Sequence, residues 1–175
     1  LVEGAVGDWS ALYLFEDKGI VIEEAVMGVM LFNGTMCIGR LLGNRLGKHL
    51  TSKQVVVGGY LLGSIAMGLI VFLPGHASMY TYLLLGISLA MIVPNLFSAM
   101  GEQNVIPMTQ AVATSTMLGY MGILMGPALI GFIAHGTSLT VAFIVLTILL
   151  VVSAGIGKYA YHLMSKDCGL SEEQI

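Results

Sequence analysis

Apolar residues run along this chain in long blocks, and short polar breaks separate them. The blocks fall at 1–15, 25–46, 54–73, 79–100, 108–134 and 138–161, each of the last five being 20 residues or longer. A helix crossing the hydrocarbon core needs roughly 20 apolar residues. A barrel strand needs about half that length and alternates in polarity, which these blocks do not. The pattern therefore predicts an all-α membrane protein with six spanning helices and a polar tail at 162–175. Block 1–15 would rise only about 22 Å as a helix, short of the roughly 30 Å core. The chain also opens without Met or a polar leader. The expectation is a sequence that starts inside a spanning helix and is part of a longer protein.

Charge orients the segments. Arg40, Arg45, Lys48 and Lys53 are four of the seven Lys and Arg residues, and all lie within Gly39–Lys53. A short basic loop between two spans resists translocation and marks the cytoplasmic side. The preceding loop, Glu16–Glu24, holds four acids and one Lys, which fits the outer side. Counting spans from these two loops puts the turns at Pro74–His76 and His135–Thr137 outside. The loop Gly101–Pro107 and the C-terminal tail then fall in the cytoplasm.

Composition agrees with this reading and removes other classes. Hydrophobic residues make up 57% and charged residues 10%, against about 25% charged in soluble domains. Mean hydropathy is +0.90. A net charge of −3 gives no basis for nucleic-acid binding. The two cysteines, Cys37 and Cys168, lie far apart and predict no disulfide, and no residue spacing predicts a metal site or a cofactor. The motifs of phosphate loops, nucleophile elbows and HExxH zinc enzymes are absent from the sequence, so an enzyme is not expected.

Small residues punctuate the helices. Gly39, Gly43 and Gly47 are spaced by four, as are Gly59 and Gly63, and Gly122 and Gly126. Each set forms a ridge where another helix can approach closely. Pro94 and Pro127 sit inside their segments and predict kinks.

The stretch GRLLGNRLGKH, 39–49, resembles the loop motif that joins the second and third helices of each half in the major facilitator superfamily. The match covers Gly39, Leu41, Arg45, Gly47 and Lys48. Asn44 stands where that family usually has Asp. Glu3–Leu14, Val93–Gly101 and Thr116–Ala134 are similar to helices seven, ten and eleven of a YbjJ-like bacterial inner-membrane branch. The resemblance implies the C-terminal six-helix half of a secondary transporter in the bacterial inner membrane. It further implies a partner N-terminal half, a small-molecule substrate, and a cytoplasmic gate at Gly39, Arg40, Gly43, Asn44, Arg45, Gly47 and Lys48.

Several polar residues fall where the membrane makes them expensive. Counted back from Phe15, Asp8 lies about 10 Å deep and Glu3 about 18 Å deep. A lipid-facing carboxylate at such depth costs at least a few kcal/mol, so both should face the interior or a wet cavity. There they can carry protons, which makes H⁺ the expected coupling ion, or they can accept helix hydrogen bonds as structural groups. They are five residues apart, about 140° around a helix, and so cannot both meet one ligand. Trp9, the sole Trp, can stack on a ligand ring or anchor at the headgroups. Asn33, Asn95 and Tyr120 can line the pathway or bond a neighbouring helix. Arg40 can snorkel to the inner surface or form a gate contact. Two other functions stay open at this point, a passive uniporter and a membrane scaffold that does not transport.

Overall fold

The computed structural model describes residues 1–46, 50–102 and 106–168; the side chains of residues 44–46, 102 and 166–168 lie outside that description. The described residues form seven helices: α1 (Val2–Glu16), α2 (Ile22–Leu46), α3 (Ser52–Phe72), α4 (Gly75–Ala90), α5 (Ile92–Glu102), α6 (Met108–Gly136) and α7 (Leu139–Cys168). Helices α4 and α5 follow one another across Met91 and read as one apolar segment, Gly75–Gly101. Five segments are long and apolar enough to cross a membrane; α1, with 15 residues, is the short one. The protein is thus an all-α, multi-pass membrane protein.

Helix ends follow local chemistry. Asp17 caps α1 through its N–H to Tyr13 O, and Ile20 N then bonds Leu14 O at 3.0 Å across Gly19, whose φ is +67°. Glycine takes that left-handed turn without a Cβ penalty, so the chain reverses tightly. The N-terminus of α3 is closed by a capping box: Gln54 N donates to Thr51 Oγ1, and Thr51 N donates to Gln54 Oε1. Its C-terminus ends at Leu73, held extended by the following Pro74.

Three segment boundaries differ from the pattern. Helix α2 starts at Ile22 rather than at residue 25, because Glu23 and Glu24 sit in its first turn, where acids complement the helix dipole. Helix α4 starts at Gly75, directly after Pro74, rather than at residue 79. Helix α7 runs to Cys168, past Tyr161. Residues 162–168 contain neither Gly nor Pro to stop it, and Met164 still packs on the core.

The core lies where α4 packs between α2 and α3, α3 packs on α7, and α1 packs on α2 and α6. Tyr82, Phe32, Met67, Leu85, Leu146 and Leu150 are fully buried there. Tyr13 of α1 stacks on Phe143 of α7 with centroids 4.2 Å apart. All three glycine ridges meet neighbours. A Cβ on Gly39 would lie 2.6 Å from the Ala90 side chain, one on Gly59 2.7 Å from Ser88 O, and one on Gly126 2.8 Å from Leu1 O. Helix α6 is the peripheral element: its buried residues are Ala111, Gly126 and Ile130.

The α1–α2 loop is stitched to α3. Lys18 Nζ donates to Val71 O at 2.6 Å and Leu73 O at 2.9 Å, and lies 5.4 Å from the Tyr13 ring centre. These carbonyls end α3 and have no helical partner, so a lysine there acts as a C-cap. Burial pulls the Lys18 ammonium below the ordinary lysine pKa, with Asp17 pulling the other way. Replacing Lys18 by Met keeps the apolar stem and removes the cap. Thermal unfolding in detergent should show a loss of about 1–2 kcal/mol. An unchanged melting temperature would refute the cap's contribution.

Candidate functional site

An acidic and a basic group meet between α1 and α2. Arg40 Nη2 of α2 lies 3.5 Å from Glu3 Oε1 of α1. The two helices pack on each other, and toward their other end Leu14 of α1 lies over Gly28 of α2. Arg40 thus reaches across to a carboxylate on α1. Both side chains stay partly uncovered, at 45% and 36% exposure. The pair sits on a face that the rest of this chain leaves open.

Glu3 also borders a cavity of about 340 Å³ lined by α1 and by α3 to α7. Its walls include Tyr60, Ile92, Ile123 and Ser153. Tyr60 drew no attention in the sequence, although a tyrosine within an unbroken apolar block is a signal that could have found it.

The remaining candidates are spread over the bundle. Asp8 is exposed on α1, with no hydrogen-bond or ion-pair partner among the described residues. Trp9 bridges to α6: its Nε1 donates to Pro127 O at 3.0 Å, and its ring lies against Gly131, where a Cβ would come within 2.9 Å. Pro127 thus sits in a continuous α6 and presents the carbonyl that Trp9 uses. Asn33 is exposed and donates to Val29 O of its own helix at 3.0 Å. Asn95 donates from Nδ2 to Met91 O at 2.8 Å, a carbonyl at the α4–α5 break that also accepts from Asn95 N at 3.2 Å. That break falls three residues before Pro94, because a proline ring opposes the carbonyl four residues back, here Ala90. Tyr120 is 64% exposed on α6. Among the described candidates, two pairs are brought together by a direct bond, Glu3 with Arg40 and Trp9 with Pro127.

The gate stretch is described in part. Gly39 packs on Ala90, and Gly43 packs on Met91 at the break between α4 and α5. The side chains of Asn44 and Arg45, and all of Gly47 and Lys48, lie outside the described residues.

Comparison with known proteins gives the class and then the family. No family model matches the chain, and no solved structure matches it. An uncharacterized MFS-type transporter of Yersinia pestis is 41% identical over 157 residues, which cover 88% of this chain and 40% of that protein. The membrane protein MosC of Rhizobium meliloti is 29% identical over 140 residues, covering 79% of this chain and 34% of MosC. An uncharacterized transporter of Sinorhizobium fredii is 28% identical over 149 residues, covering 83% of this chain and 39% of that protein. Fold and relatives together define a multi-pass membrane protein similar to membrane transporters. Within that class, most of the chain is similar to a protein named as an MFS-type transporter, of the major facilitator superfamily. It spans about two fifths of the length of these relatives, and a C-terminal six-helix half fits that coverage.

Proposed function

We propose that this chain is the C-terminal half of a secondary active transporter that moves a small solute by alternating access. The N-terminal six-helix half would supply the opposite wall, and substrate would bind between the halves near the midplane. The observation that carries the reading is the Glu3–Arg40 pair, a partly uncovered ion pair between two apolar segments; its sequence position supports a place within the membrane. Ionisable groups at that depth mark substrate or proton pathways by default. With Asp8 exposed higher on the same helix, proton coupling is the expected drive. The basic stretch supports a cytoplasmic α2–α3 loop and C-terminus in a bacterial inner membrane. The relatives' names speak for a carrier and not for an enzyme.

The full transporter in proteoliposomes tests this. A thermal-shift screen of metabolites supplies a substrate, and flux is then measured with and without a protonophore. Uptake should saturate and lose its accumulation when the proton gradient collapses. Saturable flux that ignores the gradient would leave a uniporter, and no flux for any stabilising metabolite would leave a scaffold. Asp8→Asn assigns the outer carboxylate. Lost accumulation with counterflow intact marks proton handling, and loss of both marks substrate binding. Wild-type values in both assays would make Asp8 structural.

A further inference from the structure

A second cavity, of about 420 Å³, lies between α1, α6 and α7, at the end of the bundle opposite the basic stretch. Its volume is within the range of small-molecule sites, about 300–1,000 Å³. Trp9 and Leu12 line its deeper wall, and Glu16, Asp17, His135 and Ser138 line its rim. Helix α1 ends at Glu16. The two carboxylates therefore lie at the membrane boundary, with Trp9 about 10 Å deeper along the helix.

We propose that this cavity binds a primary ammonium group carrying an apolar tail, whether a free amphiphilic amine or the headgroup of an ethanolamine phospholipid. Charge is the first reason. Glu16 has no hydrogen-bond or ion-pair partner among the described residues. Asp17 accepts from Thr140 Oγ1 at 3.3 Å and keeps further lone pairs free. Lys18, the cation next to them in sequence, is turned toward Val71 O and Leu73 O of α3. The rim can thus take a cation without displacing one.

The wall is the second reason. The indole of Trp9 is fixed by its bond to Pro127 O and by its contact with Gly131. A fixed indole below the rim offers the tail an aromatic surface and loses no freedom on binding. Leu12, Ala134 and Leu139 complete an apolar floor for the tail. A metal ion fits less well: no three His, Cys, Asp or Glu converge as a metal site among the described residues.

The test uses the full transporter in nanodiscs of phosphatidylcholine and phosphatidylglycerol, with phenethylammonium as the probe and calorimetry as the readout. Saturable binding is expected, and the uncharged phenethyl alcohol should not bind. Glu16→Gln, on an exposed side chain, should weaken binding about tenfold, which is about 1.4 kcal/mol. Glu23→Gln, away from the cavity, should leave binding within about twofold. A second arm adds phosphatidylethanolamine to the discs and reads retained lipid by native mass spectrometry. Competition with the probe, and retention lost in Glu16→Gln, assigns the site to the lipid headgroup. Unchanged probe affinity in those discs assigns it to free amines. If neither probe nor lipid binds, or if Glu16→Gln alters neither, the proposal falls. The transporter reading would survive that failure, because flux is not what is measured.

Discussion

Gly86→Leu should leave little folded protein. Gly86 lies on α4 where that helix crosses α2, and a Cβ there would strike Phe32 O and Thr35 Oγ1 and come within 3.2 Å of Met36 N. Two of those three atoms belong to backbone, which cannot rotate aside. Thr35 is held as well, since its hydroxyl donates to Leu31 O at 2.8 Å. Relief requires parting α2 from α4, which would uncover Phe32 and Met36, now 1% and 6% exposed. Overpacking a core costs roughly 1–3 kcal/mol when side chains can adjust; against backbone the cost should exceed about 3 kcal/mol. Gly58, with open space around its Cα, is the control. Gly58→Ala should be neutral or stabilising by up to about 1 kcal/mol. Size-exclusion profiles and thermal unfolding in detergent decide the matter. A monodisperse Gly86→Leu protein that melts with the wild type would show that the α2–α4 crossing tolerates separation.

The same crossing shows what the sequence made legible. Apolar length is a local property, so the membrane class and the long segments can be read residue by residue. Close approach is also local in part: the ridge at Gly39 and Gly43 was visible as a spacing, and it meets Ala90 and Met91. What the spacing lacked was the partner, and Gly86, the glycine that meets a neighbouring helix's backbone most closely, belongs to no GxxxG set. Boundaries failed where charge was read without its position. Glu23 and Glu24 look like loop residues, but the first turn of a helix favours them.

Site residues were legible by type and not by direction. Glu3 and Asp8 stood out because acids are costly at depth. Which of them meets a cation depends on how α1 is rotated against α2, and packing across the bundle sets that rotation. Trp9 shows the same limit. Its hydrogen-bond partner, Pro127, lies 118 residues away. The kink residue and the lone Trp were each noticed, yet nothing local links them. Tyr60, across the cavity from Glu3, is a further case: its surroundings come from α1, α6 and α7, which no window of the sequence brings together.

Breaking the Glu3–Arg40 pair from one side should harm the protein more than removing both charges. In water, a pair as open as this one would contribute about 0–1 kcal/mol. At membrane depth the alternative for each lone charge is worse, at about 2.5–3.5 kcal/mol or more on insertion scales. Arg40→Gln leaves a carboxylate that must protonate or draw in water, and Glu3→Gln leaves a guanidinium at the same level. Each single variant should lose folded yield and at least about tenfold in flux, a change of 1.4 kcal/mol. The double variant Glu3→Gln/Arg40→Gln should regain yield, because no uncompensated charge remains, while flux stays low. The reversed pair, Glu3→Arg/Arg40→Glu, should also regain yield. It should transport poorly, since the carboxylate would then sit on α2 instead of α1. Yield and flux across these variants form a double-mutant cycle. Strictly additive losses, with coupling below about 0.3–0.5 kcal/mol, would mean that the two residues act separately. The pathway reading of Glu3 would then lose its main structural support.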